Sequence, residues 1–282
     1  MKKVIALYQK PKRTLDPVPL PPCFYKFRSF HGEESIARVR EILVEGLAHF
    51  AFPKDFNDPF DPRPRYRVKD RQRFLHEYIR KIRRSTPDKD IAEARERQLL
   101  RANVGELIEN VTAQQQRELR ERFQIFSLTA TRDPILLWSH YAAGHTGLCI
   151  HFSSARFPFG VAAKVEYQNE YPTIDLPRTL DATEHFIRVL ATKSPIWGYE
   201  QEYRLVRVPD DYPVKFKDFG LKWTGQKMHF NTDAIIGVTC GALMTQSALE
   251  TLKALILESG REIPVARAVL HKEDYKLVFE SI

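Results

Sequence analysis

Apolar and polar residues alternate over residues 23–27, which predicts a strand. A 3.6-residue spacing of Ile36, Val39, Leu43 and Leu47 predicts a helix over 33–47. Residues 53–65 hold four prolines with Asp55, Asn57, Asp58 and Asp61, which is loop chemistry. From 66 to 122 the chain is charged and poor in β-branched residues. Phe74, Tyr78 and Ile82 recur at helical spacing, and Pro87 breaks the run. Further strands are expected at 123–128, 147–152, 163–167, 202–208, 234–238, 265–270 and 275–279, and helices at 134–141, 183–193 and 247–259. Asp133 is the expected cap of the 134–141 helix, with Pro134 in its first turn. The pattern predicts an α+β fold with a mixed, mostly antiparallel sheet core. An extended Pro-rich arm (1–22) precedes a single domain (23–282), which takes a helical insertion at about 66–122.

Composition narrows the class. The chain has 282 residues, 43% hydrophobic and 11% aromatic, enough for a core and against disorder. No run is long and apolar enough for a membrane span or a signal-peptide core, so a cytoplasmic protein without membrane contact is expected. Cys23, Cys149 and Cys240 have neither disulfide nor zinc spacing. The formal charge of +8 is local: residues 63–84 hold ten Lys/Arg against Asp70 and Glu77, a balance equal to that of the whole chain. Such a stretch is a solvated helix face or a polyanion-binding surface, and nucleic acid is a possible partner there.

Four stretches mix polar and aromatic residues beyond the needs of a core. Tyr25-Lys26-Phe27-Arg28 ends a strand in a guanidinium able to grip phosphate or carboxylate. Phe56-Asn57-Asp58-Pro59-Phe60-Asp61 reads as an Asx-type turn between two aromatics that plug the core. Ser127-Leu128-Thr129 leads into Leu137-Trp138-Ser139-His140-Tyr141 and His145-Thr146-Gly147. There Trp138 and Tyr141 share a helix face, His140 and His145 are candidate histidines, and Ser139 and His140, as neighbours, point apart. In Trp197-Gly198-Tyr199-Glu200-Gln201-Glu202-Tyr203-Arg204, a strand starting near Glu200 would project Glu200, Glu202 and Arg204 to one side. Those charges need partners if buried, and a fixed carboxylate there can stabilise a developing oxocarbenium ion.

Together these motifs resemble a bacterial family filed as domain of unknown function 2971, over roughly residues 23–280 without the helical insertion. The order of a strand-end Arg, a Ser-x-Thr strand and a late Glu-x-Glu also resembles the Arg–Ser–Glu class of ADP-ribosyltransferases. It departs from that class in reading Ser127-Leu128-Thr129 rather than Ser-Thr-Ser, and in placing Arg204 beside the acid. The resemblance implies an ADP-ribosyltransferase-like fold and an NAD-consuming transferase or NAD glycohydrolase, in a defence or toxin setting. Arg28, Ser127, Thr129, Trp138 and Tyr141 would then bind NAD as substrate. Glu202 would be the catalytic carboxylate and Glu200 the substrate-positioning acid. Two alternatives stand beside it. One is a nucleic-acid-binding protein or metal-dependent nuclease, using the basic 63–84 segment with Asp58, Asp61, Glu200 and Glu202. The other is a non-catalytic recognition module.

Overall fold

A computed structural model of the protein describes residues 20–177, 188–210 and 221–282. In chain order the strands are β1 (Cys23–Arg28), β2 (Leu47–His49), β3 (Arg65–Val68), β4 (Gln124–Thr129), β5 (Leu148–Ser153), β6 (Ala163–Lys164), β7 (Glu166–Tyr167), β8 (Thr173–Leu176), β9 (Thr192–Lys193), β10 (Glu202–Arg207), β11 (Trp223–Thr224), β12 (Lys227–His229), β13 (Ile235–Cys240), β14 (Val265–Leu270) and β15 (Leu277–Ser281). The helices are α1 (Gly32–Leu43), α2 (Arg71–Ser85), α3 (Lys89–Arg101), α4 (Val104–Arg122), α5 (Ile135–Tyr141) and α6 (Gln246–Glu258). An eight-stranded sheet runs in the order β15-β14-β13-β5-β1-β4-β10-β6. Every pairing in it is antiparallel except β13 with β14. The fold is therefore α+β and mostly antiparallel.

Side chains alternate between the two faces of this sheet. One face is apolar. Phe24, Phe126, Leu128, Ile150, Phe152, Leu205 and Val238 meet Val39, Ile42 and Leu43 of α1 and Leu249, Leu252 and Leu255 of α6. The other face is mixed. One apolar cluster (Phe27, Leu137, Trp138, Cys149, Ala268, Leu277) seats α5 on it. A second (Phe74, Val111, Leu119, Phe123, Ile125, Ile174, Leu190) joins helices α2 and α4 to the start of β4. The polar residues of β4 and β10 lie between these two clusters.

Local chemistry accounts for the elements and for departures from the sequence pattern. Asp70, Asp88 and Thr245 cap α2, α3 and α6 by accepting from Arg73, Ile91 and Ala248 backbone N–H groups. The helix expected to reach residue 47 stops at Leu43. Gly46 takes a left-handed φ of +66°, and a Cβ there would lie 2.4 Å from the Phe230 carbonyl oxygen, so the chain turns into β2 instead. The segment from 66 opens as strand β3, paired in parallel with β8, before helix begins. The 134–141 helix starts at Ile135 with Pro134 at its cap and no side-chain capping bond, so Asp133 does not cap it. Residues 1–19 of the expected arm lie outside the described residues, as do residues 183–187 of the expected 183–193 helix; residues 188–190 are helical, and the last two form β9. Asp58 does form an Asx turn, accepting from Phe60 N–H at 2.9 Å, but Phe60 is 58% exposed and plugs no core.

Candidate functional site

Five charged side chains meet on the polar face of β10: Asp61, Lys193, Glu200, Glu202 and Arg204, none more than 7% exposed. Glu202 and Arg204 sit two apart on the strand and so project together. Arg204 Nε and Nη2 donate to the two Glu202 oxygens at 2.8 and 2.9 Å. Its Nη1 donates to Asp61 at 2.8 Å and to the Leu190 carbonyl at 2.6 Å, and Nη2 also bonds Asp61. All five N–H bonds of the guanidinium are thereby used. Lys193 Nζ donates to Glu200 at 2.6 Å and to Glu202 at 3.3 Å, and it lies 4.7 Å above the Trp197 ring. Tyr141 donates to Glu200 at 2.7 Å, and Asn57 hydrogen-bonds the same hydroxyl. The Ser127 hydroxyl reaches Glu202, and Thr129 bonds the Glu200 carbonyl.

Glu200 arrives by a different route from the one its spacing suggests. It ends a 3-10 turn (Pro195–Glu200), and Gln201 at φ +44° then turns the chain into β10. The strand begins only at Glu202. A left-handed residue between them, rather than strand alternation, brings both carboxylates to one place.

The charge states are fixed by these contacts. Burial alone would raise the Glu202 carboxyl. Arg204 and Lys193, with hydrogen bonds from Arg204 and Ser127, overcome that and hold it at about 2. Burial opposes charge on Lys193 and on Arg204, but the carboxylates around them raise both. At Asp61 burial outweighs Arg204 and the carboxyl is raised. Tyr141 is raised by burial and by Glu200. Glu202 therefore serves as a permanent anion and not as a proton donor or acceptor near neutral pH. The three carboxylates close on Lys193 and Arg204. Among the described residues no group of three or more His, Cys, Asp and Glu has metal-holding geometry.

Glu202 makes a pH prediction. Its folded pKa lies below the ordinary carboxylate value, so its contribution is complete above about pH 4.5 and is lost as pH falls toward about 2. The shift corresponds to roughly 3 kcal/mol. Urea unfolding between about pH 6 and about pH 3 is expected to show a steep loss of stability in the native chain and a flatter one in Glu202→Gln. Asp61, with its raised carboxyl, acts in the opposite sense and moderates the slope. Parallel profiles for the two proteins would contradict this assignment.

Two of the sequence-derived candidates do not join the cluster. In the antiparallel register Glu202 stands opposite Thr129, and Thr129 opposite Tyr25, so these three share the polar face. Arg28 is three residues from Tyr25 and pairs with Leu148 of the apolar core, so it projects from the other face. Burial and the Arg38 charge together lower the Arg28 guanidinium to about 10. One ligand cannot bridge Arg28 and Glu202 through the sheet, which corrects the expectation that Arg28 holds a phosphate in the Glu202 cleft. Trp138 is wholly buried, packs edge-on against Phe27 and donates to the Arg132 carbonyl at 2.8 Å. It is core and has no free ring face to stack on a nicotinamide. Ser127, Thr129, Tyr141, Glu200 and Glu202 do converge. Asp61, Lys193 and Tyr167, whose hydroxyl accepts from Glu202 N–H at 2.8 Å, complete the group.

The histidine motif is also structural in form. Ser139 Oγ lies 3.3 Å from His145 Nε2 and donates to the Ile135 carbonyl. His145 Nδ1 is buried without a partner, so the ring proton belongs on Nε2, pointing at Ser139. That tautomer donates to the serine and does not activate it. Gly147 follows, and a Cβ there would stand 2.2 Å from the Arg28 carbonyl oxygen, so the strand entry requires glycine.

A row of directly opposed polar residues crosses the middle of the sheet: His151, Tyr25, Thr129, Glu202. His151, Tyr25 and the adjacent Ser127 are half-buried. Among the described residues no helix is long and apolar enough to cross a membrane. The basic 63–84 stretch is exposed for most of its length, and Arg80 and Arg83 pair with Glu77 and Glu96. No curated protein and no solved structure matches the chain, and the resemblance to ADP-ribosyltransferases gains no support from these comparisons. Residues 137–205, which run from α5 to the middle of β10 and include Lys193, Glu200, Glu202 and Arg204, match the family described as "Protein of unknown function (DUF2971)", the one to which the motifs at 137–141, 145–147 and 197–204 point.

Proposed function

We propose that the protein is a recognition module that binds a nucleotide-class ligand on the half-open polar face around Tyr25, Ser127 and Tyr141. The buried ionic cluster is the rigid wall of this site. The observation supporting this reading is that the cluster is complete without a ligand. Every N–H of Arg204 is bonded within the protein, and both Glu202 oxygens are engaged. Buried networks of this kind fix side-chain positions, and a rigid polar wall lowers the ordering cost of binding. A sheet face used only for packing has no need of a polar row across four strands.

Calorimetric titration with ADP-ribose tests this. Saturable binding is expected, weakened about tenfold by Tyr141→Ala, which removes an aromatic wall. Binding indifferent to Tyr141→Ala would place the ligand elsewhere. A second reading, NAD cleavage with ADP-ribosyl transfer or hydrolysis, is favoured by one observation: Glu202 is held ionised beside Ser127, Thr129 and Tyr141. There it would stabilise the cationic ribose carbon left when nicotinamide departs. Arg204 and Lys193 already neutralise much of that charge, which is why binding without turnover is preferred.

A further inference from the structure

Arg132 contrasts with Arg204. It lies in the turn after β4, and its carbonyl is pinned by the Trp138 indole at 2.8 Å. Its side chain extends across the polar face. Nη1 donates to Thr239 Oγ1 at 2.9 Å, and the guanidinium lies 4.0 Å over the Phe279 ring. Thr239 is fully buried and its hydroxyl lies 2.9 Å from His151 Nε2. Thr239 accepts from Arg132 and so links the guanidinium to the His151 ring. Burial and the nearby Arg132 charge lower His151 to about 3. Burial raises the Cys23 thiol and holds Tyr25 at about 12, so both stay neutral. Among the described residues no carboxylate lies within ion-pair distance of Arg132. A half-buried guanidinium with four unused N–H bonds thus faces only neutral groups, on the face and in the row that end at Glu202. The planar fork of this guanidinium matches an oxyanion.

We propose that Arg132, supported by Thr239 and Phe279 and flanked by the Tyr25 hydroxyl, anchors a subsite for a phosphate-class oxyanion at the β13 end of the polar row. This rests on the binding-face reading and adds the chemistry of one end of the ligand. It also gives a cation on the Glu202 face, where Arg28 cannot serve.

The test is NMR of the full chain, following the His151 ring signals during separate titrations with inorganic phosphate, ADP-ribose and acetate. Phosphate and ADP-ribose are expected to shift His151 saturably. Arg132→Gln is expected to weaken both by roughly tenfold or more, with circular dichroism showing a native fold. Arg28→Gln, on the opposite face, is expected to change nothing. If Arg132→Gln does not fold, Arg132→Lys keeps the charge but loses the fork, and it too is expected to weaken binding. An unsaturable response, or affinity unchanged in the folded Arg132 variants, overturns the subsite. Acetate acting as well as phosphate at equal concentration overturns the phosphate assignment. ADP-ribose binding that is sensitive to Tyr141→Ala but not to Arg132 overturns the subsite and leaves the binding face standing. Phosphate binding that needs Arg132, without any ADP-ribose binding, leaves the subsite standing and removes the nucleotide reading.

Discussion

Arg204→Met is expected to destabilise the fold by about 3–5 kcal/mol, the range for removing one partner of a buried ion pair. The upper end applies, because the change leaves two carboxylates, Asp61 and Glu202, at 2% and 4% exposure without their guanidinium. It also strands the Leu190 carbonyl, which accepts from Nη1. Methionine matches the aliphatic stem, so lost packing explains little of the effect. In thermal unfolding this corresponds to a fall of roughly 10 °C for a chain of this size. Arg204→Lys is expected to recover only part of it, because one ammonium cannot reproduce a fork that spans Asp61 and Glu202. A stability loss under about 1 kcal/mol for Arg204→Met would show that water reaches the cluster and that it is not the closed wall described above.

Trp138→Ala carries the second large effect, about 3–5 kcal/mol. The indole is wholly buried against Phe27 and Leu137, and its N–H holds the Arg132 carbonyl. Truncation opens a cavity under α5 and frees the turn from which Arg132 extends. Urea unfolding measures the loss. If Trp138 instead stacked on a ligand, the variant would lose binding while keeping nearly native stability, and that outcome would reverse the assignment.

The strand pattern was legible where one face is apolar. The alternation at 23–27 corresponds to β1, and the strand expected at 202–208 to β10, where Glu202 to Leu205 are buried on both faces. Which strands lie side by side was not legible. The parity that separates Arg28 from Tyr25 is present in the sequence, but only the Tyr25–Thr129 and Thr129–Glu202 pairings show which of the two shares a face with Glu202. The partners of Arg204 were hidden for a related reason. Asp61 is 143 residues from Arg204 and was legible as turn chemistry or as one acid of a metal-ligand set, not as a partner of Arg204, and Lys193 fell within an expected helix. Trp138 and Tyr141 share a helix face, as their spacing requires, but spacing alone does not say that Trp138 points into the core while the Tyr141 hydroxyl reaches Glu200. His151 and Arg132 belong to no motif. Only the sheet register brings them beside Tyr25.

On the reading proposed above, Glu202 is a fixed structural anion in a closed cluster beside a binding face. Incubating the protein with NAD at neutral pH and quantifying free nicotinamide tests it most directly. No release above the protein-free rate is expected. Nicotinamide release that is abolished in a folded Glu202→Gln variant would contradict it and make Glu202 the catalytic carboxylate.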